Sequence, residues 1–167
     1  SGGEDRRAEA QASARDFLHG VATSNIHFVQ FEDSYFPAQA REIKEWLIAQ
    51  RGRQQPDLVF THRRQDAHQD HRTVNELTWN IFRDQLILEY EIPKWDGDLG
   101  HPNAYVALPE KVLERKIELL MQHFGTQRSK DWFDPETFRG LSRLRGMECR
   151  APEAYAEGFY AKKIRLF

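Results

Sequence analysis

Five residues within ten positions are able to bind a metal or move a proton: His62, Asp66, His68, Asp70 and His71. They follow the apolar run Leu58-Val59-Phe60-Thr61, which reads as a strand. They precede Val74, Leu77, Thr78, Ile81 and Phe82, which repeat at the spacing of a buried helix stripe. The cluster is therefore expected in a loop at the carboxyl end of a strand, where open α/β sheets bind their ligands. Imidazole and carboxylate are ligands that zinc accepts, and a catalytic zinc site uses three protein ligands with the fourth position open to water. His71 falls at the expected helix start, where the positive end of the helix dipole disfavours imidazolium and keeps the ring neutral for a metal. His68 can face the same cavity, with Asp70 fixing its tautomer as an outer carboxylate does. A cationic His68 would then stabilise an oxyanion and protonate a leaving amine. Asp70 also suits a helix N-cap and loop histidines are often merely solvated, so the tetrapeptide His68-Gln69-Asp70-His71 by itself leaves both readings open.

The elements that must position this loop are legible from periodicity. Residues 8–19 read as a helix stopped by Gly20, and 25–31 as a short β-rich run. A helix over 38–50 has Ile43, Trp46 and Leu47 on one face, and 57–61, 86–92 and 103–108 read as strands. Pro109 opens a helix whose apolar side is Val112, Leu113, Ile117, Leu120, Met121 and Phe124. Asp134 caps another, with Phe138, Leu141 and Leu144 inward, and 158–166 is a closing extended run. Helices alternating with short strands predict an α/β fold: a Rossmann-like, mostly parallel sheet with helices on both faces.

A 40% hydrophobic and 30% charged composition over 167 residues fits one soluble globular domain, 1–167. The net charge of −2 gives no general attraction to nucleic acid or anionic lipid, and the pairs Arg51, Arg53 and Arg63, Arg64 read as solvated loop charges. Cys149, the one cysteine, excludes an internal disulfide framework and reads as a half-buried small side chain. With no apolar run long enough for a membrane span and no secretory signal, the cytoplasm is the expected compartment. The composition is compatible with a homo-oligomer.

The stretch Pro56-Asp57-Leu58-Val59-Phe60-Thr61-His62, followed by Asp66-Ala67-His68-Gln69-Asp70-His71-Arg72, resembles the second signature of the PIG-L/LmbE-like family of zinc-dependent de-N-acetylases. Arg6 and Glu9 look like that family's Arg-x-x-Glu helix, and Phe31-Glu32-Asp33 like the acidic strand end after it. Lys116, His123 and Gln127 resemble its later helix and tail, and Tyr155-Ala156-Glu157-Gly158-Phe159 its closing strand. The resemblance spans nearly the whole chain. It implies an LmbE-like fold, a single Zn2+, His71 as a zinc ligand, His68 as the acid or oxyanion stabiliser, Asp70 as its orienting partner, and Arg6 as a substrate contact. Two departures stand out. Gln69 replaces a common proline, which removes no chemistry. The family's first signature, His-Pro-Asp-Asp, is absent, and with it two zinc ligands, the general base and the first strand and helix of the domain. The expectation is a longer natural protein, with the 167 residues alone inactive unless that segment is supplied.

Between the strands at 86–92 and 103–108, the loop 93–102 carries one large aromatic, Trp95, amid turn formers and carboxylates. An indole face beside hydroxyl acceptors suits a pyranose, and a partly packed surface loop is the plainer alternative; Trp132 has the same two readings. The expected activity is removal of an acetyl group from an N-acetylated sugar or glycoconjugate, in surface polysaccharide or glycoconjugate biosynthesis. The competing readings are a catalytically inactive sugar-binding or structural relative lacking the first metal half-site, and a metal-dependent phosphodiesterase.

Overall fold

The computed structural model describes residues 2–164, which divide into two compact units. In chain order the elements are α1 (Gly2–Phe17), α2 (Ala40–Arg53), β1 (Leu58–His62), α3 (Gln69–Ile81), β2 (Leu86–Tyr90), β3 (Ala104–Leu108), α4 (Glu110–His123), α5 (Pro135–Glu148) and β4 (Tyr155–Ala161), with single 3-10 turns at Phe36–Gln39 and Gly125–Gln127.

One unit comprises residues 30–92, 96–105 and the chain from Gly158 onward. It holds the strand, helix and strand that the sequence announces: β1 and β2 run parallel, with Leu58 opposite Leu86 and His62 opposite Tyr90, and α3 connects them. The predicted stripe on α3 is the buried one. Leu77, Thr78 and Ile81 face inward, and Ile81, Phe82 and Ile87 form a core against Leu47 of α2, Val59 of β1 and Trp79. Each such aliphatic side chain contributes about 1.5–3 kcal/mol by leaving water. The sheet order is β1-β2-β4-β3, and β4 returns antiparallel to β2, with Tyr90 opposite Phe159. The sheet thus joins a parallel β1–β2 pair to an antiparallel β2–β4 pair. Asn103 fixes that return: its backbone N–H reaches Phe159 O at 3.0 Å, and its side chain brackets Ala161 through bonds of 2.8 and 3.2 Å.

The other unit comprises residues up to Val29, 93–95 and 106–157. Its core is Leu113 and Ile117 of α4 with Phe133 and Phe138, flanked by Leu120, Met121, Phe124, Trp132 and Tyr155. Asp134 caps α5 as expected, its Oδ1 accepting from the N–H of Glu136 at 2.7 Å and of Thr137 at 3.0 Å. The inward face of α5 is Phe138, Ser142, Arg145 and Gly146, at i, i+4, i+7 and i+8. Leu144, expected inward, is instead 52% exposed. Six residues past Phe138 it has turned about 240° round the helix, away from that face. Val112 is likewise exposed, and Leu119 is buried on α4 in its stead.

Residues 25–31 form no strand. Ile26 and Val29 are exposed there, and a β conformation without a paired neighbour leaves its backbone groups to water. The closing strand begins earlier than predicted, at Tyr155, and ends at Ala161; the last two residues of the expected run, 165 and 166, lie outside the described residues. Among the described residues no helix is long and apolar enough to cross a membrane.

Candidate active site

The loop 63–68 leaves the end of β1 and enters α3, and buried polar groups of its own unit hold it on all sides. Glu89 stands alone as a charge in the apolar strand β2 and is 4% exposed. Its two carboxylate oxygens accept from the Arg64 backbone N–H at 2.9 Å and the Trp79 indole at 2.6 Å. Asn75, fully buried on α3, donates to the carbonyl of His62 at 2.7 Å. The loop after β2 reaches across too. Asp98 accepts the Ala67 N–H at 2.6 Å, its carbonyl accepts from Arg63, and the Arg63 guanidinium lies 4.8 Å over the Tyr160 ring. Gly100 sits so close that a Cβ there would be 2.5 Å from Arg63 Nη2, so this position has room for glycine alone unless Arg63 moves.

Within that frame His62, His68 and His71 converge. The His62 and His71 rings stack with centroids 3.9 Å apart and planes 4° from parallel, and His68 lies 4.7 Å from His71. Ligand atoms of His62, Asp66 and His71 fall within 4.8 Å of one another, as do those of Asp33, His68 and Asp70. Asp66, 4% exposed, accepts the His68 backbone N–H at 2.8 Å through Oδ1 and faces His71 Nδ1 at 2.9 Å through Oδ2. A carboxylate only accepts, so the His71 proton sits on Nδ1 and Nε2 presents its lone pair. That is the carboxylate–histidine pairing which prepares an imidazole for a metal.

His62 is differently placed. The lone pairs of an imidazole lie in the ring plane, and two parallel rings 3.9 Å apart aim theirs along separate planes, so His62 and His71 do not converge on one ion as they stand. His62 Nε2 is also 3.3 Å from the hydroxyl of Tyr90. Burial, with the nearby charge of Asp66, pushes the Tyr90 phenol up to about 12, so it remains protonated and donates to that nitrogen. Among the described residues, this loop therefore offers a metal one prepared ligand, His71, with Asp66 behind it.

His68, not Asp70, is the N-cap of α3. Its Nδ1 accepts the Asp70 backbone N–H at 3.2 Å, so the neutral ring carries its proton on Nε2. The Asp70 carboxylate, 3% exposed, accepts the backbone N–H groups of Ser34 at 2.6 Å and Phe36 at 3.1 Å. It thereby pins the turn carrying Asp33, where Ser34 takes a left-handed φ of 69°.

Arg6 and Trp95 belong to the other unit. Arg6 is an exposed residue of α1. Its neighbour Glu9 accepts the N–H and hydroxyl of Thr126 at 2.9 and 2.6 Å, and those bonds hold its carboxyl below the usual range. His123 pairs with Asp16 at 2.8 Å, and Lys116 with Glu157, so several of the individually weak sequence matches are structural ties in this unit.

Glu89 and Asp98 are supports to which sequence reasoning assigns no role, and Asp66 enters it only as one of five candidate ligands. Asp66 is visible as part of the cluster, and Glu89 as the lone charge within an apolar strand; nothing local marks Asp98, whose contact is made 31 residues away.

A family model described as PIG-L, GlcNAc-PI de-N-acetylase, matches residues 1–82, the stretch that contains this loop. Over that stretch, 82 of the 167 residues, the chain is similar to the PIG-L family. No curated protein matches it significantly. Among solved structures it is similar to the conserved protein TT1542 from Thermus thermophilus, with a TM-score of 0.70 and 17% identity over 98% of this chain and 75% of that one. It is also similar to the A40926 pseudoaglycone deacetylase Dbv21, with a TM-score of 0.64 and 21% identity over 94% of this chain and 69% of that one. The zinc-inhibited form of the teicoplanin deacetylase Orf2 gives 0.57 and 12% over 85% and 58%. At these identities the likeness shows the α/β fold alone.

Proposed function

We propose that this protein is a member of the PIG-L family and a metal-dependent de-N-acetylase acting on an N-acetylated sugar or glycoconjugate, with zinc as the metal. The observation that carries the reading is the Asp66–His71 pair, which turns His71 Nε2 outward as a ligand beside a second histidine able to donate a hydrogen bond. The family match and the two structural neighbours named as deacetylases support it. When bound, the ion supplies Lewis acidity, which polarises a carbonyl and makes water nucleophilic near neutral pH.

The chain's own groups do the rest. Asp66 holds His71 in one tautomer and, through its bond to the His68 N–H, sets the distance between the two histidines. His68 directs Nε2–H at the acetamide oxygen, where charge develops as the carbonyl becomes tetrahedral. In the neutral ring the Asp70 backbone N–H seats Nδ1. Once Nδ1 has gained a proton in place of that bond, Nε2 delivers its own to the departing amine and leaves a neutral ring, with the carboxylates of Asp33 and Asp70 as counter-ions beside the imidazolium. Arg6 and Trp95 are assigned to substrate contact, and the cytoplasm is the proposed compartment. The test is acetate release from a panel of N-acetylated sugars by the complete, zinc-loaded protein, compared with His71→Ala.

A further inference from the structure

Trp95 is 66% exposed, the most exposed of the large apolar side chains among the described residues, yet it is held on two sides. Its indole N–H donates to Asp131 Oδ1, and its ring meets Trp132 edge to face, with centroids 6.2 Å apart and planes at 85°. Trp132 continues as a chain of T-shaped contacts into the core: to Phe133 at 5.7 Å, and from there to Phe138 at 5.2 Å and Phe124 at 6.4 Å. Phe133 and Phe138 are buried. An indole left in water costs apolar exposure, and an idle one relieves that cost by folding down onto its neighbour. Here the hydrogen bond to Asp131 satisfies the polar edge and the T-contact fixes the plane, while the side chain as a whole stays 66% exposed.

We infer that Trp95, Trp132 and Asp131 form a carbohydrate-binding platform, in which a pyranose lays its C–H face on the Trp95 ring within the right angle made with Trp132. Asp131 accepts from a ring hydroxyl through the oxygen not committed to the indole. Lys130 Nζ already lies 5.6 Å over the Trp132 ring, so the cation seat on that ring is taken, while the Asp131 carboxylate offers an acceptor for a sugar hydroxyl. The platform extends the deacetylase reading, on which the choice of an N-acetylated sugar rests, but its binding needs neither metal nor turnover.

The test is titration of the metal-free protein with N-acetylglucosamine trimer and, separately, with choline, followed by tryptophan fluorescence and calorimetry. The trimer is expected to bind and shift the indole emission, and choline to leave it unchanged. Trp95→Ala is expected to weaken the trimer by roughly tenfold or more, the loss of one buried aromatic face, while Trp95→Phe keeps most of the affinity. Asp131→Ala, which unseats the indole, is expected to fall between them. Because Trp95 is mostly exposed, these variants should retain the wild-type circular dichroism spectrum. No trimer binding at the solubility limit, choline binding in its place, or equal affinity in Trp95→Ala overturns the inference. Acetate release that persists without trimer binding removes only this platform, whereas trimer binding without acetate release removes only the proposed function.

Discussion

Replacing Asp66 by Asn probes the site with almost no change in volume. Asp66 faces two donors: the His68 backbone N–H at 2.8 Å and His71 Nδ1 at 2.9 Å. An amide offers one acceptor and one NH2, so one of the two partners must meet a donor. The backbone N–H of His68 has no other protonation state. The His71 ring does, and moves its proton to Nε2. That shift is the cheaper accommodation, and it places a hydrogen where the metal ligand should be. Loss of such an outer partner lowers metal affinity about 10–100-fold, equivalent to roughly 1.4–2.8 kcal/mol. The proton shift is read without metal by long-range nitrogen–proton NMR of the imidazole: Nδ1–H in the wild type, Nε2–H in Asp66→Asn. Zinc competition against a chromophoric chelator reads the affinity. An Nε2–H tautomer already present in the wild type, or unchanged zinc affinity in the variant, would show that Asp66 does not set the His71 tautomer.

Three further outcomes follow from the scaffold. Glu89→Ala leaves the Trp79 indole and the Arg64 N–H without their acceptor beneath the loop, at about 1–3 kcal/mol each, so denaturant titration should show a loss of about 2–6 kcal/mol. Gly146→Ala puts a Cβ 2.1 Å from the Ala154 carbonyl oxygen, a backbone atom that cannot swing aside, and should cost about 1–3 kcal/mol or more by thermal unfolding. Tyr90 has a folded pKa of about 12, above its ordinary value of 10. The folded state thus holds a proton that the unfolded chain loses first, and stability should decline as pH rises from 10 towards 12. Tyr90→Phe should remove that part of the alkaline loss.

The βαβ core and the reactive loop are legible in the sequence because both rest on local signals: the 74, 77, 78, 81 stripe is periodic, and five ligand-type residues within ten positions stand out in any context. The cap lies two residues before the expected one because histidine Nδ1 can accept a backbone N–H as a carboxylate does, and tertiary demand from Ser34 and Phe36 draws the Asp70 carboxylate away. The partnership of Asp66 with His71 depends on how the loop folds back, which spacing alone does not fix. Leu144 shows that counting apolar residues without their angle on the helix misleads, since the inward places go to Ser142, Arg145 and Gly146. Residues 25–31 have the composition of a strand, but composition supplies no neighbour to pair with.

Whether His71 carries a metal for de-N-acetylation is decided by acetate release from N-acetylglucosamine-containing substrates, measured on the complete, zinc-loaded protein with its His-Pro-Asp-Asp segment supplied, beside His71→Ala. Acetate is expected from at least one substrate, lost on chelation and recovered on adding zinc back, with none from His71→Ala. Acetate release that survives in His71→Ala, or a zinc-loaded protein that releases none from any substrate in the panel, would contradict the assignment.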